Sequence, residues 1–435
     1  MKKIYKPITK INFYITGLVL SLYAIIRFRI VFLRVTPKGD ERSFLSVFNI
    51  VINKGFYEAN VAGNSTPFNF VAYLFYKITS NGLISLRLTS LFFGILSLVF
   101  LWIFYKKYFK IPQDYRFTAF LTAVNTMVIM SWVFTGINDI ILAFLTVLLF
   151  MIIFRIKNDQ KESHYSYLYI GLIIAFMLLT RKMSLLFLPS VFVVLISILY
   201  LKNTLFKAAL KKIILVSASF LIIVIAFNIP SLIEKGHLSF HEKKLPSEKV
   251  NWSQLQYLTA IREEQGSLSY GKHASIDEVI QYLNENGENS LPKTLTASIF
   301  FDFARTTREF FNDLFYQIKP FTRLLGFIFL TNLLLLIRYF FKRKFIVKNI
   351  LNQPIILFSI IYMSIVCFIV ITYVETRWFS NILLLLPIVL AERTYKFIKE
   401  NNLGEKFDFI MINLQLLSLT VMSLPYLIKN IGILF

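Results

Sequence analysis

Two adjacent carboxylates, Asp40 and Glu41, lie in the stretch VTPKGDERSF, directly after the first long hydrophobic run of the chain. A carboxylate at such a place can take the proton of a hydroxyl as its oxygen attacks an anomeric carbon. Arginine and lysine can hold a departing phosphate through charge-assisted hydrogen bonds. Cations of this kind are Arg87, Arg181, Lys182 and Arg377, and a third acid, Asp139, sits in WVFTGINDIILAF. Arg181 and Lys182 occupy LLTRKMSLLF, and Arg377 stands beside Glu375 in YVETRWFS. These turns are too short to leave a membrane surface, and charges at that depth face a cavity or one another. The reading is therefore an outward-facing cavity ringed by Asp40, Asp139, Arg87, Arg181, Lys182 and Arg377. For Arg181, Lys182 and Arg377 the alternative is snorkelling, or pairing with acids such as Glu375.

The elements that must position these groups follow from composition. The chain has 435 residues, 56% of them hydrophobic, with a mean hydropathy of +0.64. The excess over the roughly 45–50% apolar residues of soluble domains is gathered in runs of about 20, the length that crosses a bilayer as a helix. Residues 356–374, ILFSIIYMSIVCFIVITYV, carry no charge and contain the only cysteine, Cys367, so an intrachain disulfide is excluded. Helices satisfy their own backbone in lipid, which predicts an all-α polytopic membrane protein. Eleven spans are expected, centred near residues 20, 95, 125, 146, 172, 192, 220, 331, 365, 387 and 418.

The net charge of +23 is explained by position. Basic clusters (MKKIYKPITK, YKKYFK, FRIKNDQK, LKNTLFKAALKK, RYFFKRKF and ERTYKFIKENN) fall on alternate connections, as the positive-inside rule requires. Nucleic acid is therefore not an expected partner. The first span lacks a small-residue cleavage site and reads as an uncleaved helix with a cytoplasmic N-terminus. The count of spans places the C-terminus outside.

Within one expected transmembrane domain, residues 1–435, two long segments lie outside. The first, 36–83, carries the acid pair and two amphipathic stretches, FLSVFNIVINKGF and PFNFVAYLFYKIT, expected as interface helices or as packing elements of the loop. The second, 232–319, has twelve acids against ten Lys and Arg and is expected to form a small ordered cap. Its SIDEVIQYLNEN opens with a capping-box pattern, Ser275 to Glu278. Of the 24 acids, only Asp40, Glu41, Glu58, Asp139 and Glu375 fall outside this loop and the cytoplasmic connections.

The stretch KGDERSFLSVFNIVINKGFY, with the following STPFNFVAYLFYKITSNGLISLRLTSLFFGILSLVFLWIFYKKYF, resembles the GT-C membrane glycosyltransferases. Within them it is most similar to the protein O-mannosyltransferase and aminoarabinose-transferase-like group. TGINDIILAFLTVLLF and RWFSNILLLLPIVLAE fit more loosely. The resemblance implies a GT-C-like fold and transfer of a sugar from a polyprenyl-phosphate-linked donor to a hydroxyl acceptor on a lipid, glycan or protein. Transfer would occur on the extracytoplasmic face with inversion, and no cofactor is required. It makes Asp40 the general base. Glu41 would orient the acceptor or cap the helix that follows, and Arg87 would hold the lipid phosphate or pair with the acids. Asp139 corresponds to a second-loop acid. Relatives often carry Lys or His before the loop proline, whereas Thr66 precedes Pro67 here, which shifts phosphate binding toward Arg87, Arg181, Lys182 or Arg377.

Two rival readings are a transporter or flippase of a lipid-linked saccharide and a polysaccharide polymerase or ligase. The first would show internal pseudo-symmetry and Gly/Pro-broken spans; the second would rely on outer-loop Arg and His. No phosphate-cradling loop or dinucleotide fingerprint is present, which disfavours a soluble nucleotide-sugar donor. His237, His241 and Glu242 in HLSFHE are too few for a metal site, so no metal is expected. Asn64 in NST and Asn251 in NWS match glycosylation acceptors. The Lys/Ile/Phe/Asn-rich composition points to a bacterial plasma membrane.

Overall fold

A computed structural model of the chain describes residues 2–131, 133–159, 163–240, 249–341, 347–369 and 374–434. Among these residues there are nineteen α-helices and no strand. The chain divides into two compact units. One comprises Met1–Glu242, Phe321–Phe358 and Phe379–Phe435; the other comprises Lys243–Pro320 and Ser359–Trp378.

The first unit begins with α1 (Lys2–Leu33), α2 (Glu41–Ala62), α3 (Thr66–Thr79), α4 (Gly82–Tyr108) and α5 (Gln113–Met130). It continues with α6 (Asp139–Asn158), α7 (His164–Thr180), α8 (Phe187–Leu201) and α9 (Phe206–Lys235). The second unit holds α10 (Trp252–Glu264), α11 (Ile276–Asn286), α12 (Leu295–Phe301) and most of α13 (Phe303–Leu325). Then come α14 (Phe327–Phe341), α15 (Val347–Leu351), α16 (Pro354–Ile369), α17 (Ser380–Leu383), α18 (Leu386–Glu400) and α19 (Gly404–Leu434).

The expectation of an all-α polytopic membrane protein is borne out. Among the described residues six helical segments are long and apolar enough to cross a bilayer: Lys6–Leu33, Gly82–Tyr108, Asp139–Asn158, Lys182–Leu201, Phe206–Lys235 and Gly404–Gly432. Shorter apolar helices are His164–Thr180, Phe327–Tyr339 and Pro354–Ile369. All eleven centres read from the sequence fall inside a helix. Two of those helices, α5 and α18, are not uniformly apolar: α5 buries Thr118, Thr122, Asn125 and Thr126, and α18 ends in the charged run ERTYKFIKE. The buried Asn125 of α5 donates to the Leu324 carbonyl (2.8 Å) and accepts from Ser423 (2.7 Å), and Thr122 accepts from Gln415 (2.9 Å). Such interhelical hydrogen bonds replace the hydrophobic drive that lipid cannot supply. The same device joins α1 to α19, through Asn12 to Asn413 at 2.7 Å and Arg27 to Asn430 at 3.0 Å.

In the first outer segment α2 buries Phe44, Phe48 and Val51 of the amphipathic stretch FLSVFNIVINKGF. It breaks at Gly55, whose φ of 88° is left-handed and open to glycine with little strain. The α3 helix buries Phe68 and Ala72, and Phe68 meets Phe44 edge to face at 5.9 Å. Yet Phe70, Leu74 and Ile78, spaced at i, i+4 and i+8, are exposed. An apolar stripe opposite a packed face is what a helix at a lipid interface presents.

The second unit has its own small core, including Val250, Leu255, Tyr257, Leu258, Val279 and Leu291. The capping box at α11 forms as its sequence suggests, with Glu278 N donating to Ser275 Oγ at 3.2 Å and Ser275 N to Glu278 Oε2 at 2.6 Å. A second box opens α10, where Asn251 caps Gln254 and donates to the Lys293 carbonyl at 3.0 Å.

One close packing in the first unit depends on a missing side chain. Gly171 of α7 lies so near α9 that a Cβ would collide with the Val216 carbonyl oxygen and the Ser219 hydroxyl. The first of these is backbone and cannot move aside. Gly171→Ala should cost about 1–3 kcal/mol through overpacking and lower the melting temperature of the protein in detergent. Gly17→Ala, where nothing lies within 4 Å of the new Cβ, should leave it unchanged.

Candidate active site

The chain leaves α1 through Arg34 and turns at Gly39 (φ 58°) into α2, with Asp40 at the N-cap and Glu41 as the first helical residue. Glu41 is 1% exposed, and its carboxylate is filled with donors. Arg87 of α4 grips it with Nε on Oε1 at 3.0 Å and Nη2 on Oε2 at 3.1 Å. The Gly136 amide adds a bond to Oε1 (3.0 Å), the Lys38 amide one to Oε2 (3.0 Å), and Arg34 Nη2 binds Oε2 as well. The third face of the Arg87 guanidinium, Nη1, donates to the Arg34 carbonyl at 2.7 Å. Arg87 is itself fully buried. Burial raises the Glu41 carboxyl, but the Arg87 side chain and the Gly136 and Lys38 amides outweigh it and hold it below its ordinary 4.5.

Gly136 belongs to the turn between α5 and α6, which is held at several points. Arg27 binds Ser131 Oγ through Nε and Nη2, at 3.0 and 2.7 Å. Ser90 Oγ donates to the Ile137 carbonyl at 3.1 Å. A Cβ on Gly136 would sit 2.8 Å from Leu86 Cβ, so only glycine lets the amide reach Glu41. Asn138 donates to the Thr180 carbonyl at 2.6 Å and to Ser65 Oγ at 3.3 Å, and Ser65 donates to the same carbonyl at 2.9 Å. The next residue, Asp139, starts α6, is buried, and accepts from Arg181 Nη1 at 2.5 Å. Arg181 directly follows α7, and the exposed Lys182 opens the short 3-10 turn beyond it. One turn thus links two ion pairs, Glu41–Arg87 through Gly136 and Asp139–Arg181 three residues later.

Residues 66–229 match the dolichyl-phosphate-mannose-protein mannosyltransferase family. The match supports a membrane glycosyltransferase of the GT-C type, as the sequence resemblance suggested, and with the apolar helices it supports an integral membrane protein. No curated protein and no solved structure gives a match. The mannosyltransferase-family segment runs from the first residue of α3 into α9, so it includes Arg87, Asp139, Arg181 and Lys182. It begins after the acid pair.

Placed on this frame, the residues picked from the sequence separate. Glu41 and Arg87 are joined to each other, and Asp139 to Arg181. Asp40 is half-buried at the helix start beside Glu41. Arg377 belongs to the second unit and pairs there with Glu375, Nη2 to Oε1 at 3.1 Å. Thr66, the residue before Pro67, is held by Asn60 at 2.9 Å, and the adjacent Ser65 by the Thr180 carbonyl. Asn64 is buried in the same asparagine chain, donating to Asn60 at 3.1 Å and accepting from Asn69 at 2.9 Å, which is no place for a glycan. His237 contacts the Lys235 carbonyl at 2.9 Å, while His241 and Glu242 lie outside the described residues. Among the described residues no three His, Cys, Asp or Glu side chains converge as metal ligands. Sequence reasoning passed over Arg34, Gly136 and Asn138. The stretch GIND was the available signal for two of these, a glycine and an asparagine immediately ahead of the chosen acid.

Breaking one half of a buried ion pair strands the other, at about 3–5 kcal/mol. Arg87→Leu should therefore lower the melting temperature sharply, and the double variant Glu41→Leu with Arg87→Leu should recover much of the loss. The lowered Glu41 value also sets a pH dependence. Its contribution is complete above the unfolded value near 4.5 and disappears as the pH falls through the lower folded value. Thermal melts across acid pH should show this loss in the native protein, and Glu41→Gln should remove that component.

Proposed function

We propose that this protein transfers a sugar from a polyprenyl-phosphate-linked donor to a hydroxyl on a lipid, glycan or protein acceptor. Transfer takes place on the extracytoplasmic face, with Asp40 as general base and inversion at the anomeric carbon. The observation that carries this reading is the Glu41–Arg87 clamp. It anchors the start of α2, and with it Asp40, to the turn that bears Asp139 and to the helix that bears Arg87. The matched family is named for a dolichyl-phosphate-linked mannose and a protein acceptor, which supports a lipid-phosphate donor of the same chemical class.

In the proposed reaction Asp40 accepts the proton of the acceptor hydroxyl as its oxygen bonds to the anomeric carbon. The glycosidic C–O bond to phosphate breaks on the opposite side, and the lipid phosphate departs with the electron pair. Arg181 and Lys182 are assigned to that phosphate, because Arg87 has all three of its nitrogens engaged with Glu41 and Arg34. Asp139 orients Arg181 through their direct bond. The reaction requires no metal or organic cofactor. The alternation of basic connections supports a cytoplasmic N-terminus in a bacterial plasma membrane.

The test is turnover by the full chain in nanodiscs supplied with radiolabelled polyprenyl-phosphate sugars, mannose first. Label should leave the lipid, and Asp40→Asn should reduce the rate by about 10²–10⁴-fold with an unchanged melting temperature. Undiminished turnover in Asp40→Asn would overturn the assignment of the base. Label that stays on its lipid while crossing the bilayer would replace transfer by transport.

A further inference from the structure

The second unit contains a cavity of about 340 Å³ whose lining includes Glu263 and Glu264 at the end of α10, Tyr270 in the following turn, and Arg308, Glu309 and Asn312 on α13. Arg305 and Arg308 both pair with Glu264: Arg305 Nη2 lies 3.0 Å from Oε2, and Arg308 Nη1 lies 2.9 Å from Oε1. Glu263 and Glu309 are left facing each other's charge. Glu309 is only 4% exposed, yet its Oε2 has no hydrogen-bond partner, and neither has the buried Glu263 Oε1. Just behind them Asp313 takes the Tyr270 hydroxyl (2.5 Å) and the Val374 amide (3.0 Å) on Oδ1, and its Oδ2 is also buried without a partner.

Buried carboxyl oxygens without donors are costly, and several together cost more. Burial and Glu309 push Glu263 up to about 7, and burial, with help from Glu309 and Glu263, pushes Asp313 up to about 8. For Glu309, burial and the Glu264 charge outweigh Asn312, Arg308 and Arg305, so it too is raised. What this site lacks is a positive charge with hydrogen-bond donors. The cavity is at the lower end of the roughly 300–1,000 Å³ typical of small-molecule sites and far larger than a bare ion needs. An ammonium group brings three donors, Leu268 supplies an apolar wall, and Asn312 is placed for a polar substituent.

We propose that this cavity binds a small organic molecule through a primary ammonium group seated between Glu263 and Glu309. The site is independent of the sugar-transfer reading and stands or falls without it. Because a cation favours the ionised carboxyls, binding should tighten as the pH rises through the Glu263 value. The groups that set this response are Glu264 on α10, Tyr270 and the Gly271 amide in the turn, and Arg305, Arg308, Glu309 and Asp313 on α13.

The experiment is calorimetric titration of the full chain in nanodiscs with Nα-acetyl-lysine amide, with uncharged Nα-acetyl-norleucine amide as its shape-matched control and calcium as a third ligand. Saturable binding of the lysine probe alone is expected, tighter at a pH of about 8 than at about 6. Glu309→Gln and Glu263→Gln should each weaken it by about tenfold, the worth of one charge-assisted hydrogen bond. Neither variant should lower the melting temperature, since each relieves the repulsion between the two carboxyls and keeps an amide oxygen for the Gly271 amide or Asn312. No saturable binding, equal binding of the norleucine amide, or full affinity in Glu309→Gln would each overturn the proposal. So would calcium binding that excludes the lysine probe. The pH series needs no variant and would overturn the proposal by itself if affinity fell with rising pH.

Discussion

The buried pair between Glu41 and Arg87 is the interaction on which the first unit's outer end depends. Neither side chain reaches water, so each would be prohibitively placed without the other. A bidentate fork alone leaves lone pairs on the carboxylate, and here the amides of Lys38 and Gly136 and the Arg34 side chain take them. These donors come from the chain leaving α1, from the entry to α2 and from the turn ahead of α6. Three separate segments are therefore held in one register by a single carboxylate. Replacing the pair by apolar residues would remove the directional bonds that define where α2 begins.

That register propagates. Gly136 is bonded to Glu41, and the short path from it to Asp139 leaves little freedom for the second ion pair. Asn138, between them, ties the same turn to the end of α7 and the start of α3. Polar groups buried at the ends of helices usually mean satisfied backbone and little more. Here they connect the points where α2, α3, α6 and α7 begin or end, which are also the points that carry Asp40, Asp139, Arg181 and Lys182. The bundle below is held by a different means, interhelical amide and hydroxyl contacts such as those of Asn125 and Asn12.

Much of this was legible in the sequence. Hydrophobic runs of bilayer length locate helices because backbone satisfaction in lipid permits few alternatives, and the capping box at Ser275 is a local pattern with a local cause. The break at Gly55 was not legible, since a glycine in an amphipathic stretch is as often tolerated as used. Nor was the division between Asp40 and Glu41: adjacent acids look equivalent until Arg87, far along the chain, selects one. Arg377 shared the composition of the other turns but closes on its own neighbour, Glu375. The carboxyl cluster of the second unit was hidden for the same reason as the Glu41 clamp. Glu263 and Glu309 lie on different helices, and only folding makes them neighbours.

The same clamp bears on which acid can act as a base under the proposed reaction. A general base must bind a proton readily, and every donor on Glu41 lowers its affinity for one. Protonating it would also leave Arg87 buried beside a neutral partner, so proton uptake there would work against the fold. Asp40 is not the acid that Arg87, Gly136 and Lys38 hold. It precedes the helix, is only half-buried, and gains its fixed position from its neighbour's bonds. Arg181 stands in a similar relation to Arg87. The wholly buried cation is committed to structure, whereas the partly exposed one is bonded to Asp139 and is the one the proposed reaction assigns to the phosphate. Burial thus separates acids and bases of identical type into those that hold the site and those able to react in it.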